Sequence, residues 1–417
     1  MMFLTKEEEK IYNGEYGEVL ETCMNLLVSL GDIYGAEKLI PISSAQVSGV
    51  SYKTIGEKGL EFLKDISSSN VKVSVPTTLN PAGMDLTNYE KLGFPKKFAK
   101  KQLEIIKCFK RMDIELGCTC TPYLSGNVPL FGSHISWAES SAVAYANSVI
   151  GARTNREGGP SALASAIIGK TPYYGYHLDE NRLPTHIVEV EANITKSSDY
   201  GALGSIVGRI VKNGVPYFKF KKLDINNVSS YKSYKLKALG AALAASGGVA
   251  LYHIENITPE ANIVLKRIEK IEGNNCNIEK ITITEDDIKN EYESLNSAEC
   301  PDLICIGCPH CSLEEIKEVV DFILKNNLNK NNKFKCDLWI CTSIYIKSIS
   351  DRMGYTEIIE NAGGKIVCDT CMVVAPIEDM DYKNIATNSG KAAKYLPNFC
   401  NSNVIYGDII EILKKGL

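Results

Sequence analysis

The chain of 417 residues has no apolar run that approaches the ~18 residues of a membrane span, so no transmembrane segment is expected. It also lacks a surplus of positive charge. Its 46 Lys and Arg face 50 Asp and Glu, for a formal net charge of -4, which argues against a general nucleic-acid binder with a basic stripe. No export signal is expected, because MMFLTKEEEK turns acidic at once. The patterns GxSxG, HExxH and GxGxxG are missing, and there is neither an internal repeat nor a low-complexity segment. A disulfide framework is not expected either: 14 cysteines without an export signal imply a reducing, cytoplasmic setting.

What is present is an ordinary globular composition, 44% apolar and 23% charged. Helical and strand-like patterns alternate, which predicts an α/β architecture. Thr5 with Glu8 reads as a capping box. Residues 20–35 have helical spacing, 38–52 read as a strand and a Ser/Gly loop, and 71–79 read as a strand. Residues 186–255 alternate strands and helices, and 260–300 read as a charged, linker-like stretch. The last ~120 residues form the clearest unit, with strands at DLICIG, KCDLWICTS and KIVCDT and helices between them. Such repeats imply a parallel sheet, with ligands gathered at the carboxyl ends of its strands. The expected division is an N-terminal region, 1–285, containing two subdomains and the block 117–177, and a C-terminal domain, 286–417.

Three cysteines sit where loops should leave strands or turns: Cys120 in GCTCTPY, Cys308 in CIGCPHCS and Cys371 in CDTCMVV. Three thiolates converging from separate loops suit an iron–sulfur cluster with one open iron, a Lewis acid for a substrate hydroxyl. Zinc is the rival, since CIGC and CDTC could supply paired knuckles, and inert core thiols are the bland alternative. Cys305 and Cys368 fall inside strands and should be buried. Only one of Cys118 and Cys120 is expected to reach a common centre, and Pro122, which holds the chain extended, favours Cys120.

In GARTNREGG, Arg153, Asn155, Arg156 and Glu157 occupy a loop just ahead of a helix N-terminus, an arrangement suited to binding an anion. A solvated surface loop is the alternative. His310, beside Cys308, reads as a supporting residue; His134 reads as structural. In NSGKAAKYLPN, Ser389, Gly390 and Lys391 suggest a phosphate-binding turn without a full P-loop pattern.

Together these motifs resemble the large subunit of the aconitase X family. The matching stretches are VSGVSYKTIGEKGLEFL, VPTTLNPAGMDL, the block from Cys120 to Leu163, GCPHCS, DTCMVV and TNSGKAAKY. The resemblance implies an aconitase-like multi-domain α/β fold, with parallel sheets around a central cluster held by Cys120, Cys308 and Cys371. The cluster is expected to be [4Fe-4S] with one open iron. The family includes archaeal enzymes that dehydrate (R)-5-phosphomevalonate to trans-anhydromevalonate 5-phosphate, and bacterial ones acting on hydroxyproline.

The length and cysteine set resemble the archaeal kind, a large chain working with a small swivelling-domain subunit that carries the serine base. In such a reaction, Arg153 or Arg156 is expected to neutralise developing charge. The phosphate would sit on Lys391 with Ser389, or on Ser51 with Lys53. His310 or Glu157 would protonate the departing hydroxyl. A zinc- or cluster-stabilised binding or sensor protein is the reading from another class.

Overall fold

The structure is a computed structural model that describes residues 2–222, 234–271 and 278–417. Its first unit begins with the capping box expected at Thr5 and Glu8. The helix Glu18–Tyr34 follows and closes on Gly35 in the left-handed conformation. Strand β1 (Leu39–Pro41) pairs antiparallel with a later strand, and β2 (Ala45–Val47) belongs to a different sheet, so the single strand expected over 38–52 is two.

The strand expected over 71–79 shortens to β3 (Thr77–Leu79). Its first half spends its backbone on helix ends instead of a ladder: Val73 N–H donates to Met112 O and Ser74 N–H to Ala166 O. Pro76 has no N–H to offer. β3, β2 and β4 (Ser136–Trp137) form a parallel sheet, and β5 (Lys170–Pro172) is the partner of β1.

The middle unit is a four-stranded parallel sheet of β6 (His186–Val190), β7 (Pro216–Phe220), β8 (His253–Ile254) and β9 (Glu279–Ile283), in the order β8-β7-β6-β9. The helices Ser197–Val211 and Tyr234–Ser246 pack closely on one another. A Cβ at Gly204 would lie 2.6 Å from Leu239 O, so only glycine permits the approach. The stretch read as linker-like is instead the helix Ala261–Ile271, β9 and the helix Glu285–Leu295. Many charges there decorate exposed faces. The expected division after residue 285 falls at the start of that last helix, which packs against Ser197–Val211 and also touches the final strand of the chain.

The last unit is a five-stranded parallel sheet: β10 (Leu303–Ile306), β11 (Asp337–Thr342), β12 (Gly364–Cys368), β13 (Asn384–Thr387) and β14 (Asn403–Tyr406), in the order β12-β11-β10-β13-β14. Ser312 and Glu315 form a capping box at the start of the helix Leu313–Lys325. The helical stretch expected between KCDLWICTS and KIVCDT breaks in two at Gly354, whose φ is 75°. The chain runs outward from β10 to β12, then returns to β13 on the other side of β10. The loops after β10 and β13 therefore diverge, and this switch point opens a crevice.

Alternation along these strands feeds two cores. Leu303, Cys305, Trp339, Cys341, Val367 and Ile385 join a core shared with Val188, Phe218 and Leu239 of the middle unit. Ile304, Ile306, Ile340, Ile366 and Cys368 pack under the outer helices. Among the described residues, no helix is long and apolar enough to cross a membrane.

Two buried histidines mark the seam between the first and middle units. The Nδ1 of His177 lies 3.0 Å from His134 Nδ1, and His253 Nε2 lies 2.9 Å from Arg182 O. Burial pushes His177 down to about 3 and His253 to about 4. Their depressed folded values mean that both add stability above the unfolded histidine value of ~6.5, and that it drains as the pH falls toward the folded values. Going from pH 7 to pH 5 should cost about 2 kcal/mol for each. Melting curves across that range should show it, and a His177→Gln/His253→Gln variant should have a flatter slope. A wild-type melting temperature that stays level from pH 7 to pH 5 would contradict this.

Candidate active site

The carboxyl ends of two parallel sheets face one another across a cavity of 270 Å³. From the first unit come Asn80 and Pro81, just past β3, and Ala138, Glu139 and Ser140, just past β4. The last unit supplies Cys308 and Pro309 past β10, Cys371 and Val373 past β12, and Lys391 and Tyr395 from the helix Gly390–Phe399 that follows β13. Cys120 arrives on a segment laid beside β3, where Thr119 N–H donates to Leu79 O at 2.8 Å. Thr54, Arg156, Val374 and Phe399 complete the wall.

All three singled-out cysteines thus line one cavity, and none is more than 6% exposed. Cys308 and Cys371 share a hydrogen bond, which pulls the Cys371 thiol down and pushes Cys308 well up. Backbone N–H groups of Val373 and Val374 also favour a thiolate at Cys371. His310 N–H donates to Cys120 Sγ at 3.2 Å. Sulfurs approached by backbone donors, in a low-dielectric wall, suit the ligands of an iron–sulfur cluster.

Among the described residues, no three His, Cys, Asp or Glu side chains stand placed to hold a single ion. The zinc arrangement drawn from CIGC and CDTC also fails on geometry. Cys305 packs on one face of the last sheet, with its Sγ 3.7 Å from Cys341 Sγ, whereas Cys368 packs on the other. Cys118 lies in the first unit's core, on the opposite side of its segment from Cys120. Cys311 is buried among the apolar residues under the outer helices.

The Cys371 turn is stitched to the first unit. Asp369 holds a φ of 62°, a costly conformation for a residue other than glycine. Its carboxylate accepts Cys118 N–H at 3.1 Å and its carbonyl accepts Ala82 N–H at 2.7 Å, while Asp85 accepts Cys368 N–H at 2.9 Å.

Glu139 and Lys391, 252 positions apart, form a buried ion pair in the wall. Burial pushes the Glu139 carboxyl up, but Lys391, the Ser141 hydroxyl and Ala142 N–H together hold it below the usual carboxylate range. Lys391 stays charged: burial works against its ammonium, but the attraction of Glu139 prevails. Its Nζ also lies 3.2 Å from Ser140 Oγ. Asn80 Oδ1 is buried and has no partner, although Asn80 lines the cavity.

The remaining sequence-predicted residues divide. Arg156 lines the cavity, is exposed, and makes one long bond, 3.5 Å to Ala244 O; no carboxylate pairs with it among the described residues. Arg153 is paired with Asp179 and lies 3.8 Å from Glu260. Asn155 is spent on Tyr174 O and Tyr176 N–H. Glu157 is buried outside the wall, bonded to Ser161 and raised by burial. Ser51 donates to Val374 O at 2.8 Å. Lys53 grips Glu378 at 2.7 Å and Ala375 O at 3.1 Å, so both fasten the first unit to the loop behind the cavity.

Ser389 caps its own helix through Ala392 N–H. The ring of His310 is closed off between Thr119 Oγ1 and Thr370 O, and burial pushes it down to about 4. Asn80, Thr54 and the Glu139–Lys391 pair were not singled out from sequence. The visible signal was only that NPAG follows a strand and that a Glu precedes a run of small residues.

Matches to known proteins cover the whole length. Models of the aconitase X first, second and third domains match residues 1–180, 184–293 and 301–417. The chain is 64% identical to the phosphomevalonate dehydratase large subunit of Methanocaldococcus jannaschii, over 99% of this chain and 100% of the relative. It is 30% identical to the cis-3-hydroxy-L-proline dehydratase of Hypocrea jecorina, over 97% of this chain and 67% of that protein. It superposes on a crystal structure of Thermococcus kodakaraensis aconitase X in its holo-form with a TM-score of 0.88, at 47% identity, covering 100% of both chains.

Proposed function

The chain belongs to the aconitase X family, and on that premise we propose that it is the large subunit of a hydro-lyase that dehydrates (R)-5-phosphomevalonate to trans-anhydromevalonate 5-phosphate. The names of its relatives at 48–64% identity support this substrate. The observation that carries the chemistry is the convergence of Cys120, Cys308 and Cys371 on a cavity that also holds two cations. Held by those three thiolates, an iron–sulfur cluster would supply a Lewis acid for the substrate's hydroxyl.

The chain's own residues do the rest. Arg156, exposed and without a carboxylate partner, binds the phosphate at the mouth by a charge-assisted fork. The hydroxy-acid end then points inward, toward the buried thiols. Lys391 neutralises charge that develops on the acid end, and its Nζ holds a proton beside Ser140 Oγ. We assign proton delivery to the departing hydroxyl to the Lys391–Ser140 pair, since the side chains of His310 and Glu157 do not line the cavity. Asn80 Oδ1 is free to accept from the substrate, while Pro81, Val373 and Phe399 exclude water. The base that removes the C2 proton comes from the small subunit that completes the enzyme, and the reduced thiols suit the cytoplasm.

The test is turnover of the large–small complex on 5-phosphomevalonate, unphosphorylated mevalonate and cis-3-hydroxyproline. Only the first should turn over efficiently; equal rates with and without the phosphate would overturn the substrate. Arg156→Met should raise KM for the phosphorylated substrate by ~10- to 100-fold with kcat less affected, as for loss of a hydrogen bond to a charged group. An unchanged KM would remove Arg156 from the phosphate site.

A further inference from the structure

We propose that Lys237 tunes the electronic environment of the Cys120 sulfur through one peptide bond, and so raises the reduction potential of the cluster; this rests on the cluster reading given above. Lys237 lies on the helix Tyr234–Ser246 of the middle unit and is 3% exposed. Its ammonium reaches across to the last unit. There it donates to His310 O at 2.7 Å, to Pro309 O at 3.4 Å and to Glu315 Oε2 at 2.5 Å.

The carbonyl of Pro309 and the N–H of His310 are two ends of the same peptide group, and that N–H donates to Cys120 Sγ at 3.2 Å. The order is therefore ammonium, carbonyl oxygen, amide N–H, sulfur. A cation on the oxygen draws electron density from the amide nitrogen and makes its N–H a stronger donor, as in any polarised hydrogen-bond chain. Hydrogen bonds to cluster sulfurs and local charge are among the terms that set cluster potentials. Glu315 balances the ammonium's charge, so the hydrogen bond carries the effect: a stronger donor favours the more negative, reduced state, and the sign is toward a higher potential.

A purely mechanical role accounts for less of this arrangement. Two well-packed apolar side chains could hold the helix against the loop as firmly as a buried ion pair does. They could not place a charge on the 309–310 carbonyl. Glu315 has a second duty, accepting Ser312 N–H at 2.8 Å as part of its helix cap, which fixes the carboxylate that keeps Lys237 in place.

The decisive variant is Lys237→Met/Glu315→Gln, which removes both charges so that neither is left buried alone. It is compared with wild type in the assembled large–small complex, prepared without oxygen. Iron content, melting temperature and a spectroelectrochemical titration are measured. The double variant should load iron like wild type but titrate at a more negative midpoint and lose iron to a chelator several-fold faster. Lys237→Arg should restore the wild-type midpoint.

A folded, iron-loaded double variant with an unchanged midpoint would overturn the proposal, since a structural role alone moves the melting temperature and not the potential. If the double variant does not load, the Lys237→Gln and Lys237→Arg midpoints decide: a more negative value for Gln supports the tuning role, and equal values refute it. Wild type without an iron–sulfur cluster would overturn the underlying cluster reading, and that outcome is seen before any variant is made.

Discussion

Cys371→Ser should empty the cavity of its cluster and lower turnover by ~10³-fold or more, the scale expected when a Lewis acid worth several kcal/mol is lost. The three thiols are not equivalent. Cys371 shares a hydrogen bond with Cys308 and is also favoured as a thiolate by the N–H groups of Val373 and Val374. A serine there keeps the donors but offers a hard, weakly acidic oxygen in place of a soft sulfur.

Cys305→Ser is the matched control. Cys305 is fully buried beside Cys341 but lies in the shared core and not in the cavity wall. It should keep iron and most of its turnover, and lose ~1–3 kcal/mol of stability from burying a hydroxyl. Iron, acid-labile sulfide and rate, measured for both variants, separate the two cases. The same loss of iron in each would mean that the cysteines act through folding.

Lys391→Met should produce the largest change in stability, ~3–5 kcal/mol at neutral pH, because it strands the Glu139 carboxylate in the cavity wall. Here pH supplies a second handle. In wild type, Glu139 has a lowered folded value, so its contribution is present above the unfolded carboxyl value and drains as pH falls through the folded one. Without Lys391, burial acts with no opposing cation, the folded value rises, and the penalty is relieved on acidification. The stability gap between wild type and variant should therefore narrow from pH 7 to pH 4. Lys391→Met/Glu139→Gln should recover most of the stability but not the turnover. Denaturant melts at the two pH values check this, and a gap independent of pH would show that the pair is not the cause.

Some of this site could be read from the chain. Cys120 could be preferred over Cys118 because Pro122 follows it and holds its end of the segment extended; residues two apart in a regular strand share a face, so the bend at Cys120, which leaves Cys118 in the first core, was not legible. Ser312 and Glu315 announce their helix locally. Other parts depend on distant partners. Arg153 and Arg156 are three residues apart in one loop, and only the positions of Asp179 and Glu260 show which guanidinium is already paired.

Lys53 resembles an anion anchor until Glu378, 325 positions away, is placed beside it. The Glu139–Lys391 pair joins the ends of strands from different sheets, so no local pattern encodes it. β13 is only four residues long, and without it NSGKAAKY reads as a loose turn when it is in fact the start of a helix at the switch point.

The most direct test is the metal and sulfide content of the large–small complex prepared without oxygen, alongside its turnover of 5-phosphomevalonate, for wild type and Cys371→Ser. The account predicts iron with acid-labile sulfide and turnover in wild type, and the loss of all three in the variant. Zinc without sulfide in an active wild-type complex, or full iron and turnover in Cys371→Ser, would contradict it.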